Sequence, residues 1–537
     1  MTPPIDLRPD HAKIVRDIIA RYLPGGVSVR VFGSRAKWTA KTHSDLDLAV
    51  KGKGPLPRAV LSDVAEAFSE SDLPFRVDVV DWHSVVPSFQ AVIDRDGKAL
   101  GWPTFPLRQF VDPNRAICYG IVQPGKPVEQ GIPILRVNNF GAGGLNTADV
   151  MRVDKGIEAQ YVRSRLQGGE LLITLVGSVG QSAIAPEALR GWNVARAVGV
   201  VPIKDEMIAR WVKLVFTSAQ AQEFFAQRAN TTVQTTVNLR DLAELPVPMP
   251  PQPTLESIVA ILSALDDKIE LNRRMNATLD RQAQAVFRDW FVDFGPVRRK
   301  QSGEVDPVAI MGGLTPDPAH AAHLAALFPD AFGDDALPVG WREGSLAQLA
   351  LVNSESWKAS NHPAEVEYVD LANTKWGTIE TTVCLTWEAA PSRARRVARA
   401  GDSIIGTVRP GNGSYAYIAR DGYTVSTGFA VLRPRQAIYA DAIYVAATTE
   451  DNIARLANIA DGHGGAYPAV NPDVVAATPF PLVSDHLLEA FSAFASPLRQ
   501  KIEHAKVENR ILAETRDYLL PRLMSGTVRV VPQDRAA

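Results

Sequence analysis

Two segments of this chain, 233 residues apart, carry the same alternating spacing of apolar side chains. Within each segment these side chains follow one another at intervals of four and three residues, which is the spacing of a coiled-coil seam. The seam positions are Ile258, Leu262, Leu265, Ile269, Asn272, Asn276, Leu279, Ala283, Val286 and Trp290, and then Phe491, Ala495, Leu498, Ile502, Ala505, Asn509, Leu512, Arg516, Leu519 and Leu523. The constant displacement (491 − 258 = 233) predicts two long helices, 255–292 and 488–525, that pair antiparallel about an internal pseudo-two-fold and hold the domains before them apart.

Each seam has an asparagine near its middle, and the same displacement relates Asn276 to Asn509. A polar side chain on a seam fixes the register of the helices at some cost in stability. We therefore expect these two residues to lie near the centre of the helix pair and to set its register.

The displacement continues upstream of the helices. Val237-Asn238 recurs as Val470-Asn471 at the same interval, and Gly169-Glu170 recurs as Gly401-Asp402 at an interval of 232. The sequences between these anchors differ widely. This pattern predicts two copies of one fold that contact different targets.

Composition places the chain among globular multidomain proteins. Its 537 residues are too many for one core and are 46% hydrophobic, and no apolar window is long enough to span a bilayer. The N-terminus lacks the features of a signal peptide, and Cys118 and Cys384 form no metal or disulfide pattern. These features predict a cytoplasmic protein without membrane contact. The net charge of −2 means that any nucleic-acid surface must be a local basic patch.

The N-terminal segment has a chemistry of its own. Three predicted strands, at 27–32, 44–50 and 75–80, carry a Gly-Ser-Arg turn after the first and acids in the other two. Asp45 and Asp47 project from one face of the second strand because side chains alternate, and Asp78 on the third can join them. Converging carboxylates suit Mg²⁺, and two such ions can clamp a phosphoryl transfer. The alternative is that these acids are solvated residues at a strand edge.

The motifs V-F-G-S-R-A, S-D-L-D-L-A-V and V-D-V-V make residues 8–102 resemble the minimal nucleotidyltransferases of the DNA polymerase beta-like superfamily. The resemblance implies Mg²⁺ and a nucleoside triphosphate as cofactors. It implies that Asp45, Asp47 and Asp78 are the catalytic and metal-binding residues, and that the Gly33-Ser34-Arg35 turn binds the nucleotide. This family includes antitoxin-like and antibiotic-modifying members.

Residues 103–530 resemble the specificity subunit of type I restriction-modification systems. The resemblance rests on G-E-L-L-I-T, on I-L-S-A-L-D-D-K-I-E-L-N-R-R-M-N, on F-R-D-W-F-V-D-F-G-P-V, and on L-P-V-G-W and R-D-Y-L-L-P-R-L-M-S-G in the second copy. It implies two target-recognition domains that each bind one half of a bipartite site in double-stranded DNA. It also implies two methyltransferase subunits docked on the helices, and restriction/translocase subunits as further partners. The chain has neither an adenine-methylation motif nor a P-loop, as expected for a subunit that is not catalytic by itself.

The predicted fold class is a multidomain α+β protein, with a small α/β nucleotidyltransferase domain and two α+β recognition domains linked by two long antiparallel coiled-coil helices. The predicted domains are 1–102 (nucleotidyltransferase), 103–253 (first recognition domain), 254–297 (central helix), 298–336 (linker), 337–483 (second recognition domain) and 484–530 (C-terminal helix). Within the linker, 320–328 is predicted to form a short helix. His320 and His323 on it suggest a metal site, but a surface helix is the favoured interpretation since no third ligand is near.

Exposed basic and amide side chains are the candidates for DNA contacts. They are Asn139, Arg163, Arg165, Gln234 and Thr235 in the first recognition domain, and Lys375, Arg395, Arg409, Asn412 and Tyr467 in the second. For each of them the alternative is an ordinary solvated surface position. Trp376 can stack or wedge into DNA, or it can cover the edge of a core.

Two functions are compatible with these features. The first is a DNA-recognition subunit that carries a nucleotidyltransferase domain. The second is a nucleotidyltransferase, antitoxin-like or acting in phage defence, for which the repeated region is a targeting module.

Overall fold

The computed structural model describes residues 5–24, 27–41, 43–52, 54–102, 104–141, 144–147, 150–229, 236–462, 468–526, 528 and 530. The chain forms two compact units, Met1–Glu270 with Arg510–Ala537 and Leu271–Asn509. Both units combine helices and strands, which confirms the prediction of a multidomain α+β protein. No helix in the described ranges is long and apolar enough to cross a membrane.

The N-terminal domain is a four-stranded sheet with helices packed on it. The strands are Ser28–Phe32, Leu46–Lys51, Val77–Asp81 and Lys98–Ala99, and the helices are Pro9–Tyr22, Gly33–Ala36, Arg58–Ser69 and Pro87–Asp96. The strand order along the sheet is third, second, first, fourth. Alternating apolar residues such as Val29, Val31, Leu46 and Leu48 are buried, because every second side chain of a strand faces the core.

The first recognition domain contains two main sheets. The strands of the larger sheet are, in spatial order, Ser182–Ile184, Leu171–Thr174, Val198–Val201 and Cys118–Tyr119, and those of the smaller are Met151–Val153, Ile132–Leu135 and Asn193–Val194. Two small pairs, Thr104–Pro106 with Pro246–Pro248 and Phe140–Gly141 with Gly144–Leu145, complete the strands. The helices are Lys155–Glu158, Glu206–Thr217, Ala219–Arg228 and Leu239–Ala243.

The second recognition domain repeats this topology, with one added strand, Ala394–Ala398, at the edge of its second sheet. Its first sheet is, in spatial order, Tyr415–Tyr417, Ser403–Gly406, Phe429–Pro434 and Ala350–Val352, and its second is Val383–Thr386, Glu365–Val369, Tyr423–Ser426 and Ala394–Ala398. A hairpin pairs Thr374–Lys375 with Thr378–Ile379, and the helices are Leu346–Leu349, Ala440–Thr448, Glu450–Gly462 and Pro472–Ala476. Each domain also has one parallel strand pair at the corresponding place. The predicted duplication of a fold is therefore present in the strand order itself.

The repeated Gly-acid motif has the same structural role in both copies. Glu170 is buried, and its carboxylate accepts hydrogen bonds from the Gln167 backbone N–H at 2.7 Å and from Arg115 at 2.7 Å. Asp402 is also buried, and it accepts from the Arg399 backbone N–H at 2.8 Å. The acid thus closes the turn before a buried strand in each domain, which explains why the motif recurs while the surrounding sequence diverges.

The two long helices run from Gln252 to Phe291 and from Asp485 to Met524, close to the predicted bounds. In the first unit, Arg516 bonds to Asp266 at 2.9 Å. In the second unit, Asn272 bonds to Asn509 at 2.9 Å. Further along the second unit Asn276 contacts the Ile502 carbonyl, so the partner number falls as the first rises and the helix segments of this unit are antiparallel, as predicted.

The asparagine pair on the seam is Asn272 with Asn509, and not the two residues that the displacement relates. Asn509 contacts Asn272, whereas Asn276 donates only a long hydrogen bond of 3.5 Å to the Ile502 carbonyl. In an antiparallel pair the numbers of facing residues have a constant sum. Since 272 + 509 equals 276 + 505, Asn276 faces Ala505. A displacement of 233 relates residues by the repeat and does not identify the residues that face each other. The side-chain oxygen of Asn276 is consequently buried without a hydrogen-bond partner.

This asymmetry predicts opposite effects of the same substitution at the two asparagines. Asn276→Leu should stabilise the second unit by about 1 kcal/mol, because it removes an unsatisfied buried oxygen from an apolar seam. Asn272→Leu should destabilise it by about 1–3 kcal/mol, because it removes a buried donor to Asn509. Urea unfolding of the two single variants would measure both changes. Equal effects at the two positions would contradict the assigned register.

The segment that was predicted to be a linker is folded. It contains the helices Gly295–Gln301, Pro307–Ile310 and Pro318–Ala326, the last close to the short helix expected there. Ile310, Leu324 and Phe328 are buried in one core cluster with Trp290 of the first long helix and Phe491 of the second. The apolar residues are spaced irregularly along short helices, so the sequence pattern did not reveal this packing. His320 and His323 are exposed on the third helix, as the surface-helix interpretation expected.

Candidate active site and recognition surfaces

The sheet of the N-terminal domain places the three predicted acids together. Asp47 lies in strand Leu46–Lys51, directly beside Asp78 in the neighbouring parallel strand Val77–Asp81. Asp45 precedes the first of these strands by one residue and is exposed. The two strands are therefore positioned so that all three carboxylates share one end of the sheet.

Gly33 forms the turn that closes against Asp47. Its φ angle is +73°, a left-handed conformation that glycine adopts without strain. A Cβ atom at this position would lie 2.2 Å from Oδ2 of Asp47, so any larger residue would collide with the carboxylate. The glycine thus allows the backbone of the turn to approach the carboxylate of Asp47 closely.

The charges of the three acids act on one another. Burial raises the pKa of Asp47, and the nearby carboxylates of Asp78 and Asp45 raise it further. Arg76 offsets part of this repulsion by forming an ion pair with Asp78 at 2.9 Å. An arrangement of oxygen donors whose mutual repulsion raises a pKa is chemically suited to a hard divalent cation.

The acids are not drawn into a closed ligand set. Among the residues that the structure describes, no three His, Cys, Asp or Glu side chains are close enough together to hold a metal ion. Like charges repel one another, and Asp78 forms an ion pair with Arg76. The donor chemistry therefore fits a divalent ion, and the side chains would have to converge on it.

Arg35 does not have the predicted nucleotide-binding position. It is buried, and its guanidinium donates to the Ser44 carbonyl at 2.8 and 3.1 Å and to the Asp6 carbonyl at 3.0 Å. It also lies 4.0 Å from the centroid of the Phe75 ring. All of these contacts are internal, so this arginine holds the backbone immediately before Asp45 and is a positioning residue. Its spacing in the G-S-R motif carried no signal of this role.

Ser34, which was also predicted to bind the nucleotide, is half-buried in the short helix Gly33–Ala36. Its carbonyl accepts from the backbone N–H groups of Lys37 at 3.2 Å and Thr39 at 3.0 Å. These bonds order the turn that follows the short helix. The nucleotide-binding role of Ser34 and of Gly33 remains a prediction.

Two of the predicted DNA contacts in the first recognition domain have structural roles instead. Asn139 is buried, accepts from the Arg136 backbone N–H at 2.8 Å and donates to the Asn146 carbonyl at 2.9 Å. Arg165 forms a two-pronged ion pair with the buried carboxylate of Glu158. Both side chains are therefore engaged within the domain, which sequence composition could not reveal.

The other candidates in this domain remain predictions. Arg163 is exposed on the surface. Gln234 and Thr235 lie outside the described residues.

In the second recognition domain the basic candidates lie on turns and at strand ends. Lys375 is half-buried in a hairpin, and Arg409 and Asn412 are exposed in a loop that lines a cleft with Asp461. Arg395 is stacked 4.2 Å from the ring centroid of Trp387. Tyr467 lies outside the described residues.

Two family profiles match separate parts of this chain. Residues 19–101 match the family described as polymerase beta, nucleotidyltransferase. Residues 128–281 match the type I restriction modification DNA specificity domain.

The N-terminal domain is similar to the probable protein adenylyltransferase MntA of Haemophilus influenzae. The two are 42% identical over 89 residues, which is 17% of this chain and 77% of that protein.

The remainder of the chain is similar to specificity subunits. The HindI specificity subunit of Haemophilus influenzae is 25% identical over 438 residues, covering 72% of this chain and 94% of that protein. The EcoBI specificity subunit of Escherichia coli is 30% identical over 184 residues, which is 34% of this chain and spans only 38% of that protein. This chain therefore joins an N-terminal domain of the polymerase beta-type nucleotidyltransferase family to a type I restriction-modification DNA specificity domain.

Proposed function

We propose that this chain is the DNA-recognition subunit of a type I restriction-modification complex. Each recognition domain would bind one half of a bipartite site in double-stranded DNA, and two methyltransferase subunits would dock on the long helices, with restriction/translocase subunits completing the assembly. The observation that carries the proposal is that two domains share one strand order, with their surface loops built from different sequences. A common scaffold with different loops suits two different half-sites.

The charge of the chain bears on how it would bind. Phosphate contacts dominate the affinity of proteins for DNA, and a net charge of −2 provides little of that attraction. We therefore expect the chain alone to bind DNA weakly and to gain affinity and site specificity in complex with methyltransferase subunits.

A domain exchange tests the proposed division of labour. The full chain, co-expressed with its cognate methyltransferase subunits, should produce a methylated bipartite site that methylome sequencing identifies. Replacing residues 103–250 with those of a relative should change one half of that site and leave the other half as it was. Because each half-site would be bound by a separate domain, the loss of the original half should be complete.

The matched control is the exchange of residues 337–483, which should change only the other half of the site. An exchange that altered both halves, or neither, would contradict the assignment of one half-site to each domain.

For the N-terminal domain we propose transfer of a nucleoside monophosphate to a hydroxyl group on a macromolecule. The attacking oxygen would form a bond to the α-phosphorus, the bond to the β-phosphate oxygen would break, and pyrophosphate would leave. Asp78 would take the proton of the attacking hydroxyl, while Asp45 and Asp47 would hold divalent ions, for which Mg²⁺ is the proposed identity because all donors are oxygens. Such ions neutralise charge on the attacking and leaving oxygens.

Labelled nucleotides test this activity. The native chain with its partner subunits and Mg²⁺ should transfer label from one of ATP, GTP, CTP or UTP, and the variant with Asp45→Ala and Asp47→Ala should not. If calorimetry with Mg²⁺ detected no nucleotide binding by the folded native chain, the domain would be a structural remnant.

A second function follows from the similarity to MntA. The chain would then be primarily a nucleotidyltransferase, and the repeated region would direct it to its target. Adjacent methyltransferase and translocase genes would favour the recognition subunit, whereas a single companion toxin gene would favour this alternative.

A further inference from the structure

Trp376 occupies an unusual position in the turn of a hairpin in the second recognition domain. The strands Thr374–Lys375 and Thr378–Ile379 are joined by the two residues Trp376 and Gly377, whose φ angles are +46° and +82°. Two positive φ angles are typical of a type I′ turn, for which Asn-Gly is the favoured sequence. A bulky aromatic residue is strained in this conformation. Its side chain is nevertheless 62% exposed, so it does not cover a core.

Arg409 shows the same kind of strain in the neighbouring loop. Its φ angle is +46°. The bridge between Val408 and Ala469 corresponds to the bridge between Val176 and Thr236 in the first recognition domain, because the residues differ by 232 and 233. Arg409 therefore stands where the first domain has Gly177, whose φ angle is +77°. The second domain has an exposed arginine at a position where its duplicate has the residue that the backbone favours.

The hairpin and the loop form one continuous surface. The Trp376 backbone N–H donates to the Gly413 carbonyl at 2.7 Å, and the Gly377 N–H donates to the Tyr415 carbonyl at 3.0 Å. A Cβ atom on Gly413 would lie 2.5 Å from the indole of Trp376, so the ring rests on the loop that begins at Arg409. We name these residues, Trp376 and Arg409–Gly413, the tip.

The second long helix holds the turn at Trp376 and Gly377 in place. The ammonium group of Lys506 donates to the Gly377 carbonyl at 2.6 Å. The Tyr444 hydroxyl fills the space beside Gly377, where a Cβ atom would lie 2.9 Å from it. The turn is therefore held in place, and the exposed side chains are presented with little freedom of the backbone.

Strained residues are concentrated at functional sites, and asparagine or glycine would relieve the strain at both positions. A tryptophan face and a guanidinium group are a combination that binds nucleic acid, since the aromatic ring contacts bases and the cation contacts phosphate. We propose that Trp376 inserts against a base step, and Arg409 against the adjacent phosphate, within the half-site of the second recognition domain. This proposal rests on the proposed DNA-recognition function.

The test uses substitutions that relieve the strain. Trp376→Asn and Arg409→Asn should leave the melting temperature equal or higher, because asparagine tolerates positive φ. In the full chain with its methyltransferase subunits, Trp376→Asn should weaken binding to a labelled duplex carrying the methylated site by about ten- to hundredfold. Arg409→Asn should reduce the slope of log affinity against log salt concentration by about one.

The matched control is Trp38→Asn. Trp38 is also an exposed tryptophan with positive φ, at +57° and 46% exposure, but it lies in the N-terminal domain. Its substitution should leave DNA binding unchanged. A set of duplexes with single base-pair changes should show that Trp376→Asn loses discrimination only in the half-site specified by residues 337–483.

The outcomes separate this proposal from the function on which it rests. Unchanged affinity of both tip variants, with a native complex that binds its site, overturns the role of the tip and leaves the proposed function intact. Loss of methyltransferase association without loss of DNA affinity identifies the tip as a protein contact and also overturns it. If the native complex fails to bind the duplex, the proposed function itself fails.

Discussion

Asp47→Asn is expected to reduce nucleotidyl transfer by about a thousandfold or more while making the N-terminal fold more stable in the absence of metal. The loss of activity follows from removing a proposed metal ligand, which lies beside Asp78 in the sheet. The gain in stability follows from removing a half-buried negative charge whose pKa is raised by burial and by two neighbouring carboxylates.

The sign of the stability change depends on pH. Because the pKa of Asp47 is raised in the folded state, the folded protein binds the proton more tightly than the unfolded chain does. The resulting stabilisation is complete below the ordinary pKa, near 3.8, and is lost as the pH rises through the raised value. Asparagine is neutral throughout, so the advantage of the variant should be present at neutral pH and should disappear in acid.

Hydrogen exchange of the full chain would measure this effect in strands Leu46–Lys51 and Val77–Asp81. Mg²⁺ with nucleotide should increase protection of the native strands and should not affect the variant. Asp63→Asn, which changes an exposed acid of helix Arg58–Ser69, is the control and should alter neither transfer nor protection. Full transfer activity in the Asp47 variant would remove this acid from the proposed site.

Arg499→Met is expected to destabilise the second unit by about 3–5 kcal/mol. Arg499 and Asp441 form a buried ion pair with an N–O distance of 3.2 Å, and both side chains are only 5% exposed. The guanidinium also lies 3.9 Å from the centroid of the Tyr444 ring. Methionine would retain much of the packing volume and leave the carboxylate with the 3.4 Å hydrogen bond from Ser492.

The loss of stability is large because the carboxylate of Asp441 remains buried without its partner. Burial raises the pKa of Asp441, and the charge of Arg499 opposes that effect. Without the arginine the carboxyl should protonate. The difference in unfolding free energy between the native chain and the variant should therefore become smaller as the pH is lowered. Urea unfolding at neutral and acidic pH would follow this change.

Two comparisons isolate the pair. The double variant Arg499→Met with Asp441→Leu should recover most of the lost stability, because replacing both partners leaves no buried charge. Arg516→Met, on the same helix, removes the partially exposed pair with Asp266 and should cost about 1 kcal/mol or less. Equal losses at the two arginines would show that burial does not set the cost.

The sequence alone predicted those features that depend on local pattern. The four-three seam predicted helices at 255–292 and 488–525, and the helices are Gln252–Phe291 and Asp485–Met524. The D-x-D motif and the later strand acid predicted that Asp47 and Asp78 would lie together, and they are paired in register. These predictions were correct because helix and strand periodicity places side chains on faces without reference to the rest of the fold.

Roles set by distant contacts were decided by the tertiary structure. Arg35 belongs to the G-S-R motif, yet its guanidinium holds carbonyl groups at residues 6 and 44. Asn139 is a polar residue in a turn, and only the folded domain buries its amide. The displacement of the repeat related Asn276 to Asn509, whereas the antiparallel register paired Asn509 with Asn272. A spacing in the sequence determines which residues are equivalent between the two copies. Which residues contact one another is determined by the tertiary fold, because hydrogen bonding and burial act between positions far apart in sequence.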